Sequence, residues 1–188
     1  MKKILFILFL IIPFIGFGQN DTVTNYHENG QLHNIGILKD GKKEGLWKYY
    51  YQDGFLEKSV NYKNGLFHGL WTNYLRYTKI ENRKYKRSEV DESILEVDES
   101  MYVNGRRKGV WKFYRNNKLI KEGYLENKMR QRIWKYYHDN GQLKKETKWK
   151  DDEEIYSRYW DENGNEIDKE IYYESWGVNG NRVDKLKY

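Results

Sequence analysis

The chain repeats itself at a nearly fixed pitch, and that limits its possible folds more than any single motif does. The triplet Gly-x-Trp stands at Gly45-Leu46-Trp47, Gly69-Leu70-Trp71 and Gly109-Val110-Trp111, and returns with its glycine replaced at Arg132-Ile133-Trp134 and Arg158-Tyr159-Trp160. These tryptophans are 24, 40, 23 and 26 residues apart. Four residues before each of the three triplet glycines stands another, in Asp40-Gly41, Asn64-Gly65 and Asn104-Gly105. A second turn signal, aromatic-x-x-Asn/Asp-Gly, occurs at Tyr26 to Gly30, Tyr50 to Gly54, Tyr137 to Gly141 and Trp160 to Gly164. One unit spans about 23 residues.

Asn-Gly and Asp-Gly tolerate the positive φ of tight hairpin turns, and here they alternate with runs rich in Leu, Ile, Val, Tyr and Trp. Each unit therefore reads as two strands of about six residues and two turns. In the run from Leu46 to Tyr51 a period of two puts Trp47, Tyr49 and Tyr51 on one face, and Leu46, Lys48 and Tyr50 on the other. Neither face is cleanly apolar. The pattern predicts an all-β protein: an elongated antiparallel meander of about five β-hairpin repeats whose neighbouring hairpins bury rings against one another. The expected structural repeat residues are Gly41, Gly45, Trp47, Gly65, Gly69, Trp71, Gly105, Gly109, Trp111, Trp134 and Trp160. The glycine of Gly-x-Trp is expected to leave a flat floor for a neighbouring repeat's ring. Composition agrees with strands: the chain has no alanine, the strongest helix former, but 18 Tyr and 7 Trp, so amphipathic rings carry its apolar surface.

The segments Gly41-Lys42-Lys43-Glu44-Gly45 and Gly65-Leu66-Phe67-His68-Gly69, with tyrosines and Asn/Asp-Gly turns at this pitch, resemble MORN repeats. The form Gly-x-x-x-Gly-x-Trp-x-x-Tyr is similar to the bacterial MORN-repeat variant, a branch commonly labelled antitoxin-like. The resemblance covers about Tyr26 to Gly164. It implies a repeat array used for protein-protein contacts, membrane tethering or scaffolding. Three departures stand out: the glycine is lost before Trp134 and Trp160, unit three carries an insertion, and an exported antitoxin could meet only an exported toxin.

Residues 1–18 read as a cleavable secretory signal: a basic Met1-Lys2-Lys3 start, an apolar run from Ile4 to Phe17, and small residues before Gln19. That run is shorter than the roughly 20 residues needed to span a bilayer. Cleavage leaves 32 basic against 28 acidic residues, a net charge of +4, in a periplasmic or extracellular protein. With no cysteine there is neither a disulfide nor an N-terminal lipid attachment. The expected layout is an N-terminal segment over 19–25, the repeat array over 26–164 with an insertion at about 78–100, and a C-terminal capping hairpin over 165–188. The cap rests on the echo of Asn163-Gly164-Asn165-Glu166-Ile167 in Asn179-Gly180-Asn181-Arg182-Val183.

The insertion starts basic, at Arg83, Lys84, Lys86 and Arg87, and turns acidic in Glu89-Val90-Asp91-Glu92-Ser93 and its duplicate Glu96-Val97-Asp98-Glu99-Ser100. It reads as a solvated hairpin extension. As a recognition finger, its candidate partner-binding residues are Arg83, Lys84, Asp91, Glu92, Asp98 and Glu99. The spacing lacks the glycine turn of a calcium loop. His27, His33, His68 and His138 form no metal-ligand spacing, and His27 and His138 occupy equivalent turn positions. No nucleophile elbow, phosphate loop or histidine pair on a helix is present, so the expectation is a non-enzyme without cofactor or metal. The expected partner is another protein. The alternative is a cell-wall glycan stacking on a ladder of Trp47, Trp71, Trp111 and Trp134. Nucleic acid is not expected outside the cytoplasm, and membrane contact through Arg106, Arg107 and Lys108 would be at most peripheral. An outer-membrane barrel fails because the strand runs are short and interrupted by Lys, Glu and Asn.

Overall fold

A computed structural model describes residues 20–80, 84–87 and 93–175. They form one antiparallel sheet of thirteen strands: β1 Asn20–Tyr26, β2 Leu32–Lys39, β3 Lys42–Tyr50, β4 Leu56–Lys63, β5 Leu66–Ile80, β6 Lys84–Arg87, β7 Ser93–Val103, β8 Arg106–Arg115, β9 Lys118–Glu126, β10 Met129–Tyr137, β11 Leu143–Lys150, β12 Glu153–Trp160 and β13 Glu166–Ile167. One helix, α1 Lys169–Ser175, follows. Strands neighbour one another in chain order, except that β7 follows β5 directly and β6 pairs with β5 alone. This is the expected meander, with repeat strands of eight or nine residues rather than six.

Tight turns explain the longer strands. At Asp40-Gly41 both central residues are left-handed, with φ of 52° and 73°, and Lys39 pairs directly with Lys42, the geometry whose twist matches that of the flanking strands. The turns at 64–65, 104–105, 116–117, 127–128 and 151–152 do the same, three of them without glycine. The other connections are five-residue loops: Tyr26 pairs with Leu32, Tyr50 with Leu56 and Tyr137 with Leu143. In each, an Asx side chain accepts the N–H two residues on, as Asn29 does from Gln31 and Asn140 from Gln142.

The glycine of Gly-x-Trp has a different role from the expected floor. Gly45 has φ +64° with open space where its Cβ would be, and the β2–β3 register shifts between Ile35 and Ile37 opposite it. It is the left-handed residue of a β-bulge. In β10 the same place is held by Arg132, also left-handed at φ 63°, so unit four keeps the bulge without the glycine. The guanidinium of Arg132 lies 3.8 Å from the Tyr124 ring centre, a stabilising contact of a kind that offsets backbone strain.

The floor is supplied by residues eleven positions before each tryptophan: Gly36, Val60, Ser100 and Gly123 for Trp47, Trp71, Trp111 and Trp134. A methyl group built on Gly36 or Gly123 would fall inside the indole of Trp47 or Trp134. Small and large residues thus alternate across the sheet, with Val60 paired to Trp47 and Trp71, Ser100 to Trp71 and Trp111, and Thr147 to Trp134. A single sheet has no second layer to cover its rings, so each indole folds over the small residue beside it.

Trp160 leaves this row. It is the aromatic immediately before a five-residue loop, the place of Tyr26, Tyr50 and Tyr137, and it pairs with Glu166. Ser157, opposite Thr147, stands where Trp134 stands in the preceding unit. The tryptophan face ends instead on Tyr159, buried under Tyr172 and Tyr173 of α1 with ring centres at 4.5 and 6.0 Å. Within the expected capping hairpin, residues 165–175 form β13 and this helix, because two tyrosines on a helix cover an exposed ring face that a flat strand beside it would leave open; the Asn179-Gly180 turn lies outside the described residues. The insertion prolongs β5 and β7, which stay paired from Gly69 opposite Tyr102 to Thr78 opposite Ser93. The signal segment also lies outside the described residues.

Candidate functional site

The sheet has two chemically different faces. The tryptophan face carries Trp47, Tyr49, Tyr62, Trp71, Tyr102, Trp111, Phe113, Trp134, Tyr136 and Trp149, and lysine and arginine side chains roof it. Lys43 Nζ lies 4.4 Å from the Trp47 ring centre and donates to the Tyr49 hydroxyl at 2.7 Å. Lys121 lies 5.1 Å from both Trp111 and Phe113, and Arg130 3.4 Å from Trp149. The aliphatic stems shield the rings while the charged ends gain cation–π attraction. Burial pushes the Lys121 ammonium below the usual lysine range. Trp111, Leu125 and Trp134 form the densest cluster, with Phe113, Tyr136 and Trp149 packed on it.

This bears on the glycan ladder. Trp47, Trp111 and Trp134 are 2%, 8% and 6% exposed, and Trp47 and Trp134 spend their indole N–H on the carbonyls of Ile37 and Tyr124 at 3.0 and 3.3 Å. Three of the four ladder rings are core. Trp71 is half-buried beneath Tyr102 and Arg107.

The opposite face exposes the middle residue of Gly-x-Trp. Leu46, Leu70 and Val110 are 48%, 41% and 48% exposed, and Ile37, Leu66, Val103 and Tyr156 are exposed on the same face. Along the strands from this apolar row runs a row of alternating charge, paired across successive strands: Glu99, Lys112, Glu122, Lys135, Glu146 and Arg158. Opposite charges directly across from one another stabilise the pairing.

The loops are tied from one unit to the next. His27 Nε2 meets the Tyr50 carbonyl at 2.8 Å, and His138 Nε2 the Trp160 carbonyl at 2.9 Å. Tyr51 reaches Tyr74 from the same loop position at 3.4 Å. The two histidines are connectors, and among the described residues no three His, Asp or Glu side chains converge to hold a metal.

Of the candidate partner-binding residues, Arg83, Asp91 and Glu92 lie outside the described residues, and Lys84 opens β6. Asp98 stands on the tryptophan face and accepts from Trp111 Nε1 at 2.8 Å and Ser100 Oγ at 3.1 Å. Glu99 stands on the other face, accepting from the Tyr114 hydroxyl at 3.4 Å. The second copy of the duplication is therefore built into the sheet, with Asp98 and Glu99 on opposite faces. Sequence reading passed over the exposed middle position of Gly-x-Trp, although it is Leu, Leu, Val and Ile in the first four units.

Several tyrosines are held neutral beyond their usual range. Tyr62 is pushed up to about 12 by burial and by its contact with Tyr49, and Tyr172 to about 12 by burial and the neighbouring Tyr173. Burial and a bond to Glu122 raise Tyr137 as well. A phenol whose folded pKa exceeds its unfolded value of 10.0 contributes stability that is intact below pH 10 and lost as pH rises through the folded pKa. Stability should therefore be flat up to about pH 10 and fall between about 10 and 12. Titration followed at 295 nm should show a group of tyrosines ionising only together with loss of the strand signal. Free ionisation of all tyrosines in the folded protein would contradict this packing.

Residues 43–64 and 133–151 match the family model of the MORN repeat variant. Both matches cover the same structural piece: the tryptophan-bearing strand, the five-residue loop, the next strand and the start of the tight turn. Over these two stretches the chain is similar to the MORN repeat variant, and the antiparallel meander around them is consistent with MORN-like hairpin repeats. No curated protein matches the chain.

Proposed function

We propose that this protein is an exported, non-catalytic scaffold that binds another protein through the face opposite its tryptophans. The observation that carries this reading is the division of labour between faces: one roofs its own rings with cations, while the other leaves Leu46, Leu70 and Val110 open to solvent. Exposed apolar rows rimmed by polar residues mark interaction sites. The leader-like residues 1–18 support export, and the antitoxin-like label of the bacterial MORN variant suggests an immunity role against an exported toxin.

The test is a crosslinked pull-down of the protein from its native envelope, analysed by mass spectrometry for peptides and wall fragments. A stoichiometric protein partner is expected, lost in the variant Leu46→Glu/Leu70→Glu. Both positions are exposed, so the variant should fold. Wall fragments without a protein partner would overturn this reading.

A further inference from the structure

The charge row beside the apolar row has a symmetry that bears on what can cover it. From β7 to β12 its signs alternate without a break: Glu99, Lys112, Glu122, Lys135, Glu146, Arg158. Such a row changes sign when reflected about the line midway between two neighbouring strands. A two-fold axis parallel to the strands, placed between β9 and β10, brings Glu122 opposite Lys135 of a second copy, Lys112 opposite Glu146, and Glu99 opposite Arg158. It preserves position along the strands, so the neighbouring row also meets itself: Tyr124, under the Arg132 guanidinium, stands opposite Ile133 and Met101 opposite Tyr156, while Val110 meets the aliphatic stem of Lys148. An axis centred on a strand would set like charges together.

We infer that the face opposite the tryptophans is an isologous interface between two copies of this chain. The inference rests on the reading of that face as a binding surface and names its occupant. A two-fold contact requires one patch to be complementary to itself; the charge row satisfies that at every position, and the row beside it does so at Met101 with Tyr156 and Tyr124 with Ile133. Sheets pack face to face about 10 Å apart, with an apolar centre and charged flank as in ordinary interfaces. Six strands at about 4.8 Å and three rows of side chains, these two and the row of Val97, Tyr114, Tyr137 and Trp160 beyond the charges, give a footprint of about 600 Å² per copy. That is near the lower end for stable association, so the dimer should be reversible and form in the micromolar range.

Sedimentation velocity on the native protein, its N-terminus established by intact mass, should show a concentration-dependent monomer–dimer equilibrium. Tyr156→Glu sets a carboxylate against Met101 of the second copy and should shift it to monomer by at least tenfold in Kd, with unchanged circular dichroism because Tyr156 is 42% exposed. Ile133→Glu, opposite Tyr124, serves as a second variant, and Lys58→Glu on the tryptophan face should leave the dimer intact. A zero-length carbodiimide crosslink between Lys112 and Glu146 should appear in mixed light and heavy protein as a hybrid peptide. Within one chain these residues are three strands apart, about 14 Å, beyond such a reagent. A protein that stays monomeric at several hundred micromolar, or a dimer that survives Tyr156→Glu and Ile133→Glu, would overturn the inference. If the monomer still loses its captured protein partner on Leu46→Glu/Leu70→Glu, the binding face stands and its occupant is a different protein.

Discussion

Gly36→Ala should lower stability by about 3–5 kcal/mol, far more than adding one methyl group to a surface strand. The added carbon would fall inside the Trp47 indole, which is 2% exposed and fixed by its N–H on the Ile37 carbonyl. Either the ring leaves its place, losing most of the burial of a tryptophan, or the β2–β3 pairing opens. Gly123→Ala should behave alike through Trp134. Gly30→Ala is the comparison: φ there is +81°, but nothing lies within 4 Å, so its cost is left-handed strain of about 1–2 kcal/mol. Urea unfolding of the three variants separates clash from strain. A cycle with Trp134→Ala sharpens the result, since without the ring the methyl at Gly123 should cost under about 1 kcal/mol, a coupling of the size expected for residues in contact. Equal effects at Gly30 and Gly36 would refute the small-under-large packing.

How far the sequence reveals this fold depends on the range of the interaction concerned. The turns at Asp40-Gly41, Asn64-Gly65 and Asn104-Gly105 were legible because their requirement for positive φ is met by residue types standing at the turn itself. Asn127-Lys128 and Asp151-Asp152 form the same turn without glycine and carry a weaker local signal. Gly36 and Gly123 were missed because their constraint comes from a ring eleven residues away across a bulge. Trp160 was misplaced because the triplet looks the same, while its phase relative to the next loop decides its face: Trp134 stands four residues before His138, Trp160 immediately before Asp161.

The division between faces was hidden for a different reason. Residue types along β3 alternate between aromatic and mixed, and lysines fall on both sides. What distinguishes the faces is that Lys43, Lys58, Lys121 and Lys145 lie over rings, whereas Lys112 and Lys135 alternate with acids. A hydropathy pattern scores both sets alike, because it cannot see that a lysine stem serves as apolar cover.

Trp134→Ala and Trp160→Ala should differ several-fold in cost although both residues close the same sequence triplet. Trp134 is 6% exposed, stacks on Trp111 with ring centres 5.3 Å apart, and packs in the cluster with Leu125. Its truncation should cost about 3–5 kcal/mol. Trp160 lies on the other face, half-buried beside Arg158 at 5.1 Å, and its loss should cost about 1 kcal/mol. The damage should also be local. Stability in a ribbon is a sum of units and nearest-neighbour contacts, and Trp134 is buried between β9 and β11. Hydrogen exchange of Trp134→Ala should therefore lose protection first in β9 to β11 while β2 to β4 keep theirs. Uniform loss across all strands would mean that the ribbon unfolds as one unit, and equal costs for the two tryptophans would show that the register placing them on opposite faces is wrong.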